Sequence, residues 1–154
     1  LGEAVDLVVD GGPARVGVES TIVDLTGAVP AVLRAGAITL SQLSDVLGIP
    51  VVTSIGGAVR APGTLRSHYA TRARLVLVDE PAREDEARRR AASGERVALL
   101  ALPDDPAAAA RTLYATLRAL DEDGYDTIVA TLPSDTEANA AVRDRLLRAA
   151  SPRT

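Results

Sequence analysis

Apolar and polar positions along the chain fall into two regimes, separated by a stretch with no periodicity. In the first regime, short apolar runs alternate with turn signals. Val5 to Val9 is stopped by Asp10-Gly11-Gly12-Pro13, which predicts a buried strand ending in a turn. Val16 to Leu25 predicts a second β-rich stretch. Val29 to Arg34 predicts a third, and the Thr26-Gly27-Ala28 turn between them makes the pair a hairpin. Thr39 stands where an N-cap belongs for a helix over Leu40 to Leu47, with Gly48 to close it. Pro50 to Thr53 predicts a short extended piece.

From Gly56 to Thr71 the pattern breaks into Gly-Gly, Arg-Ala-Pro-Gly and Ser-His-Tyr. A structureless run of that length is uncommon inside a compact domain, so it predicts a linker or a functional loop. Beyond it the pattern becomes regular. Strands are predicted over Leu75 to Val78, Arg96 to Leu102 and Thr127 to Leu132. Helices are predicted over Arg83 to Ala92, ending at Gly94, over Pro106 to Leu120, closed near Gly124, and from an Asp135 cap through Ala150. Strands alternating with helices of this length predict βαβ units and a parallel sheet, a small Rossmann-like three-layer α/β domain. The chain thus divides into residues 1–55, a linker over 56–72 and a C-terminal domain over 73–154.

Composition changes this picture in several ways. Among 154 residues there is no Phe, Trp, Met or Cys, so the interior is built from Val, Leu, Ile and Ala, with three Tyr as the only aromatics. Without Cys there is no disulfide framework and no thiolate metal site, which suits a reducing, cytoplasmic compartment. The chain starts at Leu1 and holds no Met, so it is expected to be a fragment of something longer. The net charge of −4 supplies no field for a polyanion, and no apolar run approaches the roughly 18 residues of a membrane span.

Candidate chemistry is thin at any single position. The C-terminal domain has no GxGxxG after its first strand, and a chain without Lys has no P-loop. Its connections carry Asp79, Glu80, Asp104 and Asp105, which would repel phosphate, so a packing, interaction or regulatory role is expected there. His68 is the only His, which excludes His-cluster metal sites. In the loop Arg66-Ser67-His68-Tyr69 it is either structural or in contact with a ligand. Ser20 and Thr21, after Glu19, either decorate a strand surface or offer hydroxyls to a ligand. Arg34, before Ala35-Gly36, is either a surface ion-pair partner or a fork for phosphate or carboxylate at a place where small residues admit a ligand.

The order of these signals carries more than any one of them. Val5-Asp6-Leu7-Val8-Val9-Asp10-Gly11-Gly12-Pro13, then Gly17-Val18-Glu19-Ser20-Thr21-Ile22-Val23-Asp24-Leu25, then Leu33-Arg34-Ala35-Gly36-Ala37-Ile38, resembles the end of a YrdC-like catalytic domain. Ala61-Pro62-Gly63 continuing to His68-Tyr69-Ala70 resembles the linker of the long-form threonylcarbamoyl-AMP synthases. Leu113-Tyr114-Ala115 through Leu120-Asp121, and Val142-Arg143-Asp144-Arg145-Leu146, resemble two helices of their extra C-terminal domain. The resemblance runs through nearly the whole chain, and its linker motif is the most specific part.

That resemblance implies a nucleotidyltransferase that condenses L-threonine, bicarbonate or CO2, and ATP into threonylcarbamoyl-AMP with release of pyrophosphate. The product feeds the tRNA-modifying transferase machinery that makes threonylcarbamoyladenosine. It further implies that Ser20, with Thr21 beside it, lines the threonine pocket, that Arg34 contacts ATP, and that His68 and Tyr69 of the linker close over bound nucleotide. Magnesium is expected to accompany the ATP, though no ligand for it is identified in this chain. RNA contact enters only through the family's substrate pathway and draws no support from the acidic balance. The sequence departs from the family pattern at Thr64-Leu65, where Met and a basic residue are usual, at Thr71, where Pro is usual, and at Ala35, where Pro usually follows the Arg. The family's Lys-x-Arg and Ser-x-Asn motifs belong upstream of Leu1, so these residues alone are expected to be inactive. The competing reading is a non-catalytic regulatory or interaction module. A carbamoyl-transfer relative used in metal-centre maturation would share the first fold but is not expected to carry this linker and domain.

Overall fold

The computed structural model describes residues 4–12, 14–54 and 71–151. A short hairpin comes first: β1 (Ile22–Asp24) pairs antiparallel with β2 (Ala31–Arg34), with a register shift between Ile22 and Val23. Helix α1 (Leu40–Leu47) follows. Its Thr39 N-cap accepts from the Gln42 amide while the Gln42 side chain accepts from the Thr39 amide, a complete capping box. At its other end Gly48, at φ 68°, makes the left-handed turn that a Cβ would penalise. The chain then adds β3 (Val52–Thr53) parallel to β2, completing a small mixed sheet of order β1-β2-β3.

The run from Val5 to Val9 corrects the sequence reading. It forms no strand, and Leu7 and Val9 are 80% and 85% exposed. A strand requires a neighbour for its backbone groups, and no described segment pairs with this one.

The second unit follows the expected alternation. Strands β4 (Arg74–Leu77), β5 (Val97–Leu99) and β6 (Thr127–Ala130) form an all-parallel sheet of order β4-β6-β5, with β6 central and buried at every residue. Helix α2 (Arg83–Ala92) packs against β5 and β6. Helices α3 (Pro106–Glu122) and α4 (Ala140–Ala149) pack against one another, with α4 also against β4. The alternation of β6 explains the layering. Ile128 and Ala130 join Leu75, Leu113, Leu117, Val142 and Leu146 in one cluster, while Thr127 turns the other way and donates to Glu95 at 2.6 Å, beyond the end of α2. Helix α2 itself is held by charge more than by burial: Glu84, Asp85 and Glu86 occupy its first turn and Arg89 and Arg90 its last, an arrangement that complements the helix dipole.

One expected cap is replaced by another device. Asp135 does not cap α4; it pairs with Arg143 at 3.2 Å, and a short 3₁₀ turn over Glu137–Asn139 leads into the helix. The buried Asn139 ties this turn to Ser134 through its side-chain amide.

The two units are in contact. Val18 lies in the cluster formed by α3 and α4, and Ala35 packs against it. Gly17, at φ 90°, passes so close to α3 that a Cβ there would sit 2.2 Å from the Ala110 carbonyl oxygen. Glu137 accepts from both the amide and the hydroxyl of Ser41 at the start of α1, at 2.6 and 2.7 Å.

Candidate functional site

The hairpin's open end gathers the first group of predicted residues. Ser20 and Thr21 precede β1, and Arg34 closes β2 opposite Ile22. Beyond the ladder the two arms continue side by side. The Ala37 amide donates to the Glu19 carbonyl at 3.0 Å. The Thr21 hydroxyl donates to the Ile38 carbonyl and accepts from the Ile38 amide, each at 3.1 Å. Gly36 lies so close to Ser20 that a Cβ would stand 2.3 Å from both the carbon and the oxygen of the Ser20 carbonyl. The glycine is therefore a requirement of the fold.

This geometry divides the labour between the two hydroxyls. Thr21 is committed to the backbone of the facing arm and acts as a clamp. Ser20 is exposed, and Arg34 is half-buried at the adjoining strand end. A hydroxyl and a guanidinium held at one rigid hairpin end can bind a small polar substrate and an anion respectively. His68 and Tyr69 lie outside the described residues.

The C-terminal domain presents a second concavity at the carboxyl edge of its sheet, where open α/β sheets usually bind ligands. Two adjoining cavities of about 500 and 550 Å³ share Glu80, Thr131, Pro133 and Ser134; Arg83 and Asp104 line one, Asp79 and Arg143 the other. Asp105, one of the carboxylates read from sequence as repelling phosphate, spends its charge on the Ala108 amide at 2.7 Å as the N-cap of α3. Among the described residues no group of three or more His, Cys, Asp or Glu is placed to hold a metal ion.

Three charged residues to which the sequence assigns no role of their own tie the structure together, and two of them, Glu137 and Arg145, join the two units. Asp121, at the end of α3, accepts from the amides of Arg72 and Ala73 at 2.8 and 2.9 Å and fixes the point where the linker meets β4. Glu137 reaches Ser41, and these bonds hold its carboxyl below the usual carboxylate range. Arg145, only 5% exposed, donates to the Ala35 carbonyl at 2.9 Å and pairs with Asp144. A sequence signal for Arg145 existed: it shares a helical face with Val142 and Leu146, both fully buried.

The fold and its contacts define a two-part α/β protein, a small mixed sheet docked on a three-layer parallel domain. Residues 38–151 match the family described as "Threonylcarbamoyl-AMP synthase, C-terminal domain". The chain is 31% identical to a threonylcarbamoyl-AMP synthase of Pyrococcus abyssi, the alignment covering 97% of this chain and 50% of the relative. It is also 31% identical to one of Bacillus subtilis, over 95% of this chain and 49% of the relative. In structure it is similar to P. abyssi Sua5 complexed with L-threonine, with a TM-score of 0.80 and 29% identity over 92% of this chain and 48% of that one. A Sua5 variant from the same organism, in which an adjacent His and Tyr are each changed to Ala, matches with the same TM-score at 28% identity, over 92% of this chain and 47% of that one. The chain belongs to the threonylcarbamoyl-AMP synthase family. It spans about half the length of the curated relatives it matches.

Proposed function

We propose that this chain is the second half of a threonylcarbamoyl-AMP synthase and supplies one wall of its active site. The reaction joins L-threonine and bicarbonate as an N-carboxylate with loss of water. A carboxylate oxygen of that carbamate then attacks the α-phosphorus of ATP, forming the mixed anhydride threonylcarbamoyl-AMP as the bond to pyrophosphate breaks. Its product is a donor for tRNA modification. The observation that carries the reading is the clamp that holds Ser20 and Arg34 at one hairpin end, in a chain whose family is a synthase.

In this reading the Ser20 hydroxyl orients L-threonine, the compound bound to the P. abyssi structure. Arg34 forks an oxygen of the ATP phosphates, where a planar guanidinium gives both charge and direction. Thr21 holds the two arms in register. His68-Tyr69 is this chain's only adjacent His-Tyr pair, the dipeptide type altered in the P. abyssi variant. Closing over the nucleotide, it would exclude water from a labile mixed anhydride. Magnesium would accompany the ATP, and among the described residues no group of three or more His, Cys, Asp or Glu is placed to hold it. Phosphate-holding and further threonine-holding groups would come from the preceding half. The exposed apolar side chains of the first unit support such a partner surface, with Val46 of α1 85% exposed beside Leu47 and Ile49.

Calorimetric titration of the parent synthase with ATP tests the assignment. Arg34→Ala should weaken binding by roughly 10- to 100-fold, the scale of a charge-assisted hydrogen bond. Unchanged affinity removes Arg34 from the site.

A further inference from the structure

The contacts between the two units converge on the candidate site. Val18, two residues before Ser20, is buried among the side chains of α3 and α4. Ala35, the residue after Arg34, packs on the same cluster, and its carbonyl accepts from Arg145. Each arm of the clamp is therefore pinned to the C-terminal domain within two residues of the group it presents. Val18 is pinned by burial. Ala35 is pinned by a buried cation whose other terminal nitrogen is held by Asp144.

From this we infer that Arg145 is a positioning residue for the synthase site, and that the C-terminal domain sets the spacing of Ser20 and Arg34 through it. The inference rests on the reading of those two residues as substrate-binding. Its physical basis is directional. A guanidinium in a low-dielectric setting, restrained by a carboxylate on its own helix, makes a short bond to one particular carbonyl. That bond fixes the peptide plane between Ala35 and Gly36. Gly36 lies against the Ser20 carbonyl, so rotation of the plane would separate the arms. The Ala37–Glu19 and Ile38–Thr21 bonds then report whether the clamp is closed. A residue that served only stability would loosen the C-terminal core and the clamp alike, whereas Arg145 should act on the clamp selectively.

Amide hydrogen exchange on this chain, compared with Arg145→Met and Arg145→Lys, separates the two. Met keeps the volume and removes the donors; Lys keeps the charge and a single donor. In Arg145→Met the amides of Ala37 and Ile38 should exchange at least 10-fold faster, while those of Ile128 and Val129 in β6 change far less, and Lys should restore part of the difference. Clamp amides that are unchanged, or that speed up only in step with β6, overturn the inference. Should the Met variant lose its fold, Arg145→Lys decides: a rise in exchange at Ala37 and Ile38 larger than any at Ile128 and Val129 supports the inference, and exchange that is equal to the native chain's, or faster only in step with β6, overturns it. In the parent synthase Arg145→Met should raise KM for both threonine and ATP several-fold, and Lys should recover part. A KM unchanged for both also overturns the inference. The underlying reading fails separately, on unaltered ATP affinity in Arg34→Ala, a variant that leaves the Arg145 contact in place.

Discussion

Gly36 and Thr21 illustrate how much of the candidate site is decided by single atoms. A methyl group at Gly36 would meet the Ser20 backbone at 2.3 Å, where neither strand has a flexible side chain to yield. Gly36→Ala should therefore open the clamp: loss of exchange protection at Ala37 is expected, and in the parent synthase a loss of threonine affinity larger than the loss of ATP affinity. Thr21→Val keeps the shape but strands the amide and carbonyl of Ile38. It should cost about 1–2 kcal/mol in urea unfolding, with little change in nucleotide binding. Ser20 and Arg34 stand out in the sequence because hydroxyls in an apolar run, and an Arg before Ala-Gly, break the local pattern; the structure sets both at the open end of one hairpin. Arg145 was hidden because helical arginines are usually solvated. Only its shared face with Val142 and Leu146 marks it as buried.

At the scale of elements, helices were read closely and strand ends less so. Helix α1 matches its predicted span from cap to cap because Thr39, Gln42 and Gly48 are local signals that act on their own helix. The Val5–Val9 run failed as a strand because pairing depends on a neighbour that periodicity cannot supply. Asp135 failed as a cap because Arg143 competes for it and a 3₁₀ turn begins the helix later. The Glu137–Ser41 contact between α1 and the turn before α4 was invisible to sequence, being 96 residues apart in the chain. Its bonds depress the Glu137 pKa, so its stabilisation is complete above the unfolded value of about 4.3 and is lost as pH falls through the lower folded value. The urea midpoint of this chain should exceed that of Glu137→Gln at pH 7, and the gap should narrow as the pH falls below the unfolded value of about 4.3. A gap that persists at acid pH would show that the carboxylate charge is not what joins the elements.

For the whole molecule, the parallel domain is the anchor on which the hairpin unit is docked, and the hairpin unit carries the proposed substrate-binding residues. Leu113 is fully buried at the centre of the cluster that also receives Val18. Leu113→Ala should lower stability by about 2–5 kcal/mol. Because Val18 shares that cluster, the Ala37 and Ile38 amides should lose protection along with β6, in contrast to the selective effect at Arg145. The order of strands and helices in this domain was readable because each strand-helix pair is a local unit. Its docking against the hairpin was not, since Gly17, Ala35 and Ser41 carry no mark of contact with residues between 93 and 110 positions away. In the proposed reading the site is divided: Ser20 and Arg34 would form one wall, and the preceding half would supply the other.

Pyrophosphate release from ATP, measured with and without L-threonine and bicarbonate, shows whether this chain is one wall of a synthase. The parent synthase should release pyrophosphate only when both are present, forming threonylcarbamoyl-AMP in step, and this chain by itself should release none. A parent protein that forms no adenylate under those conditions is not this synthase, and a 154-residue chain that forms it at the parent's rate holds more than one wall of the site.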